Sequence, residues 1–318
     1  MSIAYACYNK NKNIRMQSSS GGLYYAVAEL IINQGGVVYA AVYDKFEVIH
    51  KKIDTIEYIS ESCGSKYAQS KLSDCYSFVK NDLINNLQVL FIGTPCQCYG
   101  LKAYLNRGYD NLFIIDFACH GVPSAKVLKR YLDEQKHLQP LENINMRDKS
   151  SGWSNYKYSW RFENTNEEKT ISQSNISFMK GFTSDLYLRP SCYECSFKGI
   201  DRKTDVTLGD YWGVWDIQPD MDDNKGTSLV IIHSSKGQRL FEKISGQFEY
   251  KVADIDKAIS YNPSIIKTVV KTPKRAEFFK RFYLGEQIDS IVTDLLKLSL
   301  QDKVKSKFKS GISKLLGR

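Results

Sequence analysis

Two short apolar runs constrain this chain more than any other feature, because they end alike. Val89-Leu90-Phe91-Ile92 stops at Gly93-Thr94-Pro95-Cys96, and Leu112 to Phe117 stops just before Cys119-His120-Gly121. Apolar runs of this length, bounded by turn residues, read as buried strands. A helix pattern follows each, from about Tyr99 to Asn106 and from Ala125 to Gln135, the latter with Ser124 as N-cap. Strand, loop and helix in alternation predict an α/β sheet, whose ligands gather at the carboxyl ends of its strands. Both cysteine loops sit at that edge.

The flanking sequence fits the same class. Leu23, Val27, Leu30 and Ile31 recur at helical spacing up to Gln34-Gly35-Gly36, and Val37 to Ile53 reads as a hairpin turning at Tyr43-Asp44-Lys45. A second helix is predicted from Leu72 to about Asn85. Residues 140–172 lose the helical rhythm, with strands over Asn155–Phe162 and Glu168–Ser172, and a helix follows over Ser177–Leu186. Strands are predicted at Asp205–Leu208 and Ser228–His233, and a basic helical stretch from about Asp254. The expected fold is therefore mixed α+β: a sheet with flanking helices, an antiparallel insertion and a helical C-terminal segment. We divide it into residues 1–88, an N-terminal region, 89–250, an α/β region that carries the cysteine segments, and 251–318, the helical basic segment.

Cys96 and Cys119 gain weight from a third segment, Arg189-Pro190-Ser191-Cys192-Tyr193-Glu194-Cys195. A Cys-x-x-Cys pair lets two sulfurs converge on one metal centre. Two single cysteines plus one pair, spread over about a hundred residues, is looser than the paired spacing of zinc ribbons, and spacing alone leaves zinc and iron–sulfur both open. Eight cysteines without a secretion signal point to metal or redox work rather than disulfides. Cys98 reads as core filling, and Cys7, Cys63 and Cys75 as packing. His120, beside Cys119, and Lys66 are the candidate catalytic residues, as proton donors.

Three polar loops complete the pattern. Ser18-Ser19-Ser20-Gly21-Gly22 precedes a helix, so its hydroxyls and free N–H groups suit a phosphate. An ordinary N-cap with a glycine turn explains the same residues, and Gly-x-Gly-x-x-Gly is absent. Lys66 and Tyr67, with Gln69, lie in Gly64–Ser70, where a cation and a ring could meet a phosphate and an aromatic cofactor. Asp210-Tyr211-Trp212 stands between two glycines, an arrangement that suits a planar cofactor or a tight turn.

Charge narrows the partners. The net charge is +9, and from Lys271 onward twelve Lys and Arg face five Asp and Glu. The rest is near neutral, which argues against a nucleic-acid groove. Val304, Phe308, Ile312, Leu315 and Leu316 alternate with lysines in the tail, a pattern for a terminal helix packed on the body or for peripheral contact with an anionic membrane. No apolar run reaches membrane-spanning length and the N-terminus has no leader pattern, so a cytoplasmic protein is expected.

Read together, these segments resemble the coenzyme F420 hydrogenase/dehydrogenase beta-subunit family. The matching words are Ser18–Gly22, Gly35-Gly36-Val37-Val38-Tyr39, Gly64-Ser65-Lys66-Tyr67 with Gln69-Ser70, Gly93-Thr94-Pro95-Cys96-Gln97, Cys119–Ser124, Cys192–Cys195 and Thr207–Gly213. They run in the family's order from about residue 4 to 235. The resemblance implies an FAD-binding fold that also holds a [4Fe-4S] cluster and links single-electron donors to a hydride-accepting substrate. Carried over, Cys96, Cys119, Cys192 and Cys195 become cluster ligands. Ser18, Ser19, Ser20, Gly21, Gly22, Lys66, Tyr67, Gln69, Thr94, Asp210 and Trp212 become flavin contacts. Many relatives begin with a ferredoxin-like segment. This chain opens close to the flavin region, so the expected donor is a separate ferredoxin-like protein. Members reduce F420 or pigments, or stand beside bacterial polysaccharide genes, and the Lys-, Asn- and Ile-rich composition argues for a bacterial source and against F420 itself. The expected substrate is a small or sugar-linked molecule. The competing readings are a zinc-stabilised binding or scaffold module and a true F420 reductase.

Overall fold

The computed structural model describes residues 2–45, 47–135, 141–163 and 168–297. The expected membrane-contacting tail lies outside the described residues. Eleven strands are described: β1 (Ile3–Asn9), β2 (Val37–Asp44), β3 (Glu47–Ile53), β4 (Val89–Gly93), β5 (Leu112–Phe117), β6 (Leu141–Asp148), β7 (Lys157–Phe162), β8 (Glu168–Ser172), β9 (Val206–Asp210), β10 (Ser228–Ile232) and β11 (Phe248–Ala253). Eight form one sheet in the order β11-β1-β10-β9-β5-β4-β2-β3, and β6-β7-β8 form a second. The large sheet draws strands from both sides of residue 88, and β11 runs across residue 250.

Four central strands, β2, β4, β5 and β9, are parallel, and antiparallel partners flank them on both sides. Val89, Leu90 and Phe91 are fully buried, as a parallel strand covered on both faces must be. Alternation assigns the faces. Leu90 and Ile115 pack toward the helices Leu23–Asn33 and Ser235–Ile244. Val89, Phe91 and Ile114 pack toward Cys75–Ile84 and Pro95–Leu105. A separate core joins the three-stranded sheet to the C-terminal helices, where Trp160, Leu128, Phe178 and Phe278 meet. Burying Phe278 alone contributes about 2–3 kcal/mol.

The first helix after β4 begins four residues earlier than its apolar rhythm predicts, at Pro95. Thr94 and Gln97 close a capping box, and Pro95 takes the first helical position, where no N–H is needed. Cys96 therefore stands in a helical first turn rather than in a loop. The predicted insertion gains a third strand, β6. Among the described residues, the basic stretch from Asp254 contains the α-helices Ile255–Ser260, Lys274–Tyr283 and Ile288–Leu296.

Strand direction decides where the loops go. β1 runs the same way as β9, because both are antiparallel to β10. The chain after β1, carrying Ser18–Gly22, therefore leaves at the same edge as the Cys96 helix start after β4, the cysteine loop after β5 and the Asp210 turn of β9. Gly21 makes this crossing possible. A Cβ there would lie 2.3 Å from the Cys7 carbonyl oxygen and 2.9 Å from the Ser228 backbone nitrogen, so only glycine fits.

Candidate functional site

A cavity of about 580 Å³ opens at that edge, within the range that holds cofactors. Its walls include Ser18, Ser19, Ser20, Gly22, Lys66, Tyr67, Gln69, Thr94, His120 and Asp210, together with Cys96, Cys119, Cys192 and Cys195. Gly21 and Trp212 are not among the lining residues. Gly21 donates its N–H to Ser228 Oγ at 2.9 Å. Trp212 stacks on Trp153 with ring centroids 4.6 Å apart, behind the wall.

The four cysteines meet at one end. Cys119 senses the charge of Cys96, Cys192 and Cys195, and Cys192 senses Cys96 and Cys195. Burial chiefly pushes the Cys119 thiol up to about 12, with the neighbouring Lys198 cation opposing it. The Cys192 thiol is also raised, first by burial, while the Val122 N–H reaches its sulfur at 3.5 Å. Like-charged thiolates so close resist joint ionisation unless a cation replaces the protons. Lys198 supplies a positive charge beside them, its Nζ donating to the Cys119 and Ser264 carbonyls. Among the described residues, no three His, Cys, Asp or Glu side chains gather tightly enough to hold one metal ion. The donor chemistry of the four thiols fits an iron–sulfur cluster, which takes one cysteine per iron and needs no common point.

Cys96 belongs to a directed hydrogen-bond chain. His50 Nε2 donates to the Ile92 carbonyl at 3.0 Å, so its Nδ1 accepts from the Ser70 hydroxyl at 2.8 Å. Ser70 Oγ accepts from Gln97 Nε2, and Gln97 Oε1 accepts from both the Thr94 N–H and its hydroxyl. The Thr94 hydroxyl lies 3.1 Å from Cys96 Sγ. Burial lowers His50 to about 4, so the ring is neutral. The partners of His50 lie 20 to 42 residues away in the chain, so no local pattern marks them.

The serine loop behaves differently from its composition. Ser18 Oγ donates to the Ile14 carbonyl and Ser20 Oγ to the Thr227 carbonyl, each at 2.8 Å, while Ser19 Oγ bonds Ser65 Oγ at 2.9 Å. Two of the three hydroxyl protons are thus committed to backbone, leaving N–H groups at the start of the helix Leu23–Asn33 as the donors an anion would meet.

Three side chains that bond the site's residues from behind carried no sequence signal. Arg147, on β6, forms an ion pair with Asp210 at 3.1 Å. Asp185 bonds His120 Nε2 at 2.7 Å. Lys149, buried beside the serine loop, donates to the carbonyls of Arg15, Ser20 and Lys225 at 2.6–2.9 Å. Lys66 donates to the Cys63 carbonyl at 2.9 Å, and burial lowers its ammonium to about 8.

With the geometry in view, comparison with known proteins agrees on the architecture. Residues 87–258, over half of the chain, match the family described as the C terminus of the coenzyme F420 hydrogenase/dehydrogenase beta subunit. The fold is similar to a chain of the xenon-derivatized F420-reducing [NiFe] hydrogenase complex from Methanosarcina barkeri. The TM-score is 0.53 and the identity 18%, over 89% of this chain and 93% of that one. No curated protein matches the chain.

Proposed function

The chain belongs to the coenzyme F420 hydrogenase/dehydrogenase beta-subunit family, and from that premise we propose that it is an oxidoreductase using FAD and one [4Fe-4S] cluster. One observation carries the proposal: the cysteine set and the three polar loops line the same cavity. Flavin and cluster in that space would join one-electron and hydride chemistry. Cys96, Cys119, Cys192 and Cys195 would hold the cluster. Helix-start N–H groups beyond Gly22 would face the flavin's phosphates, and Tyr67 and Thr94 would border its ring. His120, oriented by Asp185, is the first candidate to move a proton at the cavity wall, and Lys66 the second.

The three polar loops on the same cavity favour the flavin and cluster reading over the zinc-scaffold one, because a scaffold has no need of a cofactor cavity beside its cysteines. A ferredoxin-like donor and a small or sugar-linked acceptor complete the proposal. No helix among the described residues is long and apolar enough to cross a membrane.

Anaerobic purification with iron, sulfide, zinc and flavin analysis tests this reading. The expected result is one flavin and about four irons per chain; one zinc and no flavin would overturn it. The family's own name favours F420 as a second acceptor, tested by following F420 absorbance with a reduced donor.

A further inference from the structure

The cavity's three polar loops come from distant parts of the chain, and one side chain touches all of them. Arg147 is 4% exposed. Its guanidinium donates to the Ser19 carbonyl at 3.2 Å, to the Tyr67 hydroxyl at 3.4 Å, and pairs with Asp210 at 3.1 Å. It lies over the Tyr156 ring, 4.1 Å from its centroid, and 5.5 Å from that of Trp212. Ser19, Tyr67 and Asp210 each represent one loop. Arg147 is not itself among the cavity-lining residues, so it works from behind the wall.

Peptide geometry gives this contact a consequence. In a trans peptide the carbonyl and the next N–H point in opposite directions. Arg147 holds the Ser19 carbonyl, so the Ser20 N–H faces away from it, and that N–H has no protein partner among the described residues. Lys149 holds the Ser20 carbonyl at 2.9 Å, and the opposed Gly21 N–H goes to Ser228 Oγ. Two basic side chains from one segment thereby set which way successive peptides of the serine loop point. The planar, five-donor guanidinium suits several acceptors at fixed angles, which an ammonium does not.

We infer that Arg147 is a positioning residue that locks the three polar loops into one register, and that the three-stranded sheet serves to deliver it. This inference rests on the flavin reading only for the identity of the ligand; the coupling of the loops stands without it.

Hydrogen exchange on the full chain tests the coupling, using Arg147→Met and Arg147→Lys beside the unaltered protein. R147M is expected to speed exchange about tenfold together in segments 18–22, 64–70 and 206–212. R147K keeps the charge for Asp210 but loses the fork. It should protect segment 206–212 while leaving 18–22 and 64–70 fast, which loss of packing alone would not produce. Unchanged exchange in any one of the three segments of R147M overturns the inference. If R147M does not fold, R147K decides: uniform exchange across all three segments overturns it. FAD titration separates the two readings. Binding by the unaltered chain and a Kd about tenfold weaker in R147M supports both; no FAD binding by the unaltered chain removes the flavin and leaves the exchange result to judge the coupling.

Discussion

His120 Nε2 donates to Asp185 Oδ1 at 2.7 Å, joining the cysteine loop after β5 to the turn after the helix Ser177–Thr183. Asp185 occupies the left-handed region at φ +59, which Asp and Asn tolerate better than most residues. Its backbone carbonyl accepts from the Tyr193 hydroxyl at 2.6 Å, so the turn is tied to the Cys192–Cys195 segment as well.

Asp185→Asn should keep the turn and lose the charge that orients His120. Turnover with a chemically reduced donor should fall about tenfold or more, with iron and flavin contents unchanged. A variant as fast as the unaltered chain would remove the pair from the reaction.

The cysteines divide by environment. Cys192→Ser should lower bound iron and bleach the visible absorbance after anaerobic reconstitution. Cys98→Ser should not, although Cys98 is only two residues from Cys96. Its sulfur is fully buried and aimed at the Gly93 and Ile115 carbonyls. Iron loss in the Cys98 variant would show that the set is misassigned.

Stability should fall between pH 6.5 and 4. His50 and His233 are each lowered to about 4, chiefly by burial. The unfolded chain protonates both near 6.5, so in that window it binds more protons than the folded one, and stability declines as pH drops. The shift corresponds to at most about 3 kcal/mol for each group. Urea midpoints at pH 7 and pH 4.5 measure it, and His50→Asn should shrink the difference. An equal pH dependence in the variant would exclude His50 as a source.

Gly21→Ala forces a Cβ against the Cys7 carbonyl. A backbone atom cannot swing aside as a side chain can, so the variant should lose about 2–4 kcal/mol. Urea unfolding monitored by circular dichroism would register it, and unchanged stability would mean that the loop crosses the sheet elsewhere.

Local pattern made much of this architecture readable. Strand β5 and the helices Leu23–Asn33 and Ala125–Gln135 match their predicted bounds, because apolar period and glycine or serine boundaries are short-range signals. The early start of the helix at Pro95 was also readable: Thr-Pro-Cys-Gln is a capping box with proline at the first position. Strand β11 was not. It is an edge strand with only its two end residues, Phe248 and Ala253, buried, so it shows no alternation to detect.

The candidate site divides along the same line. Sequence alone marked the segments that come to line the cavity: four cysteines, a serine–glycine loop and the Lys66 and Asp210 turns, each picked out by its neighbours. Only the tertiary structure decided what those groups face. It turned the Ser18 and Ser20 hydroxyls onto backbone carbonyls, gave His120 its carboxylate from Asp185, and set Arg147 between Ser19, Tyr67 and Asp210. Such partners are separated by 4 to 207 residues, and most carry no local mark. A buried charge is chosen by the acceptors that surround it, and those acceptors are assembled only when the sheet brings its strand ends to one edge.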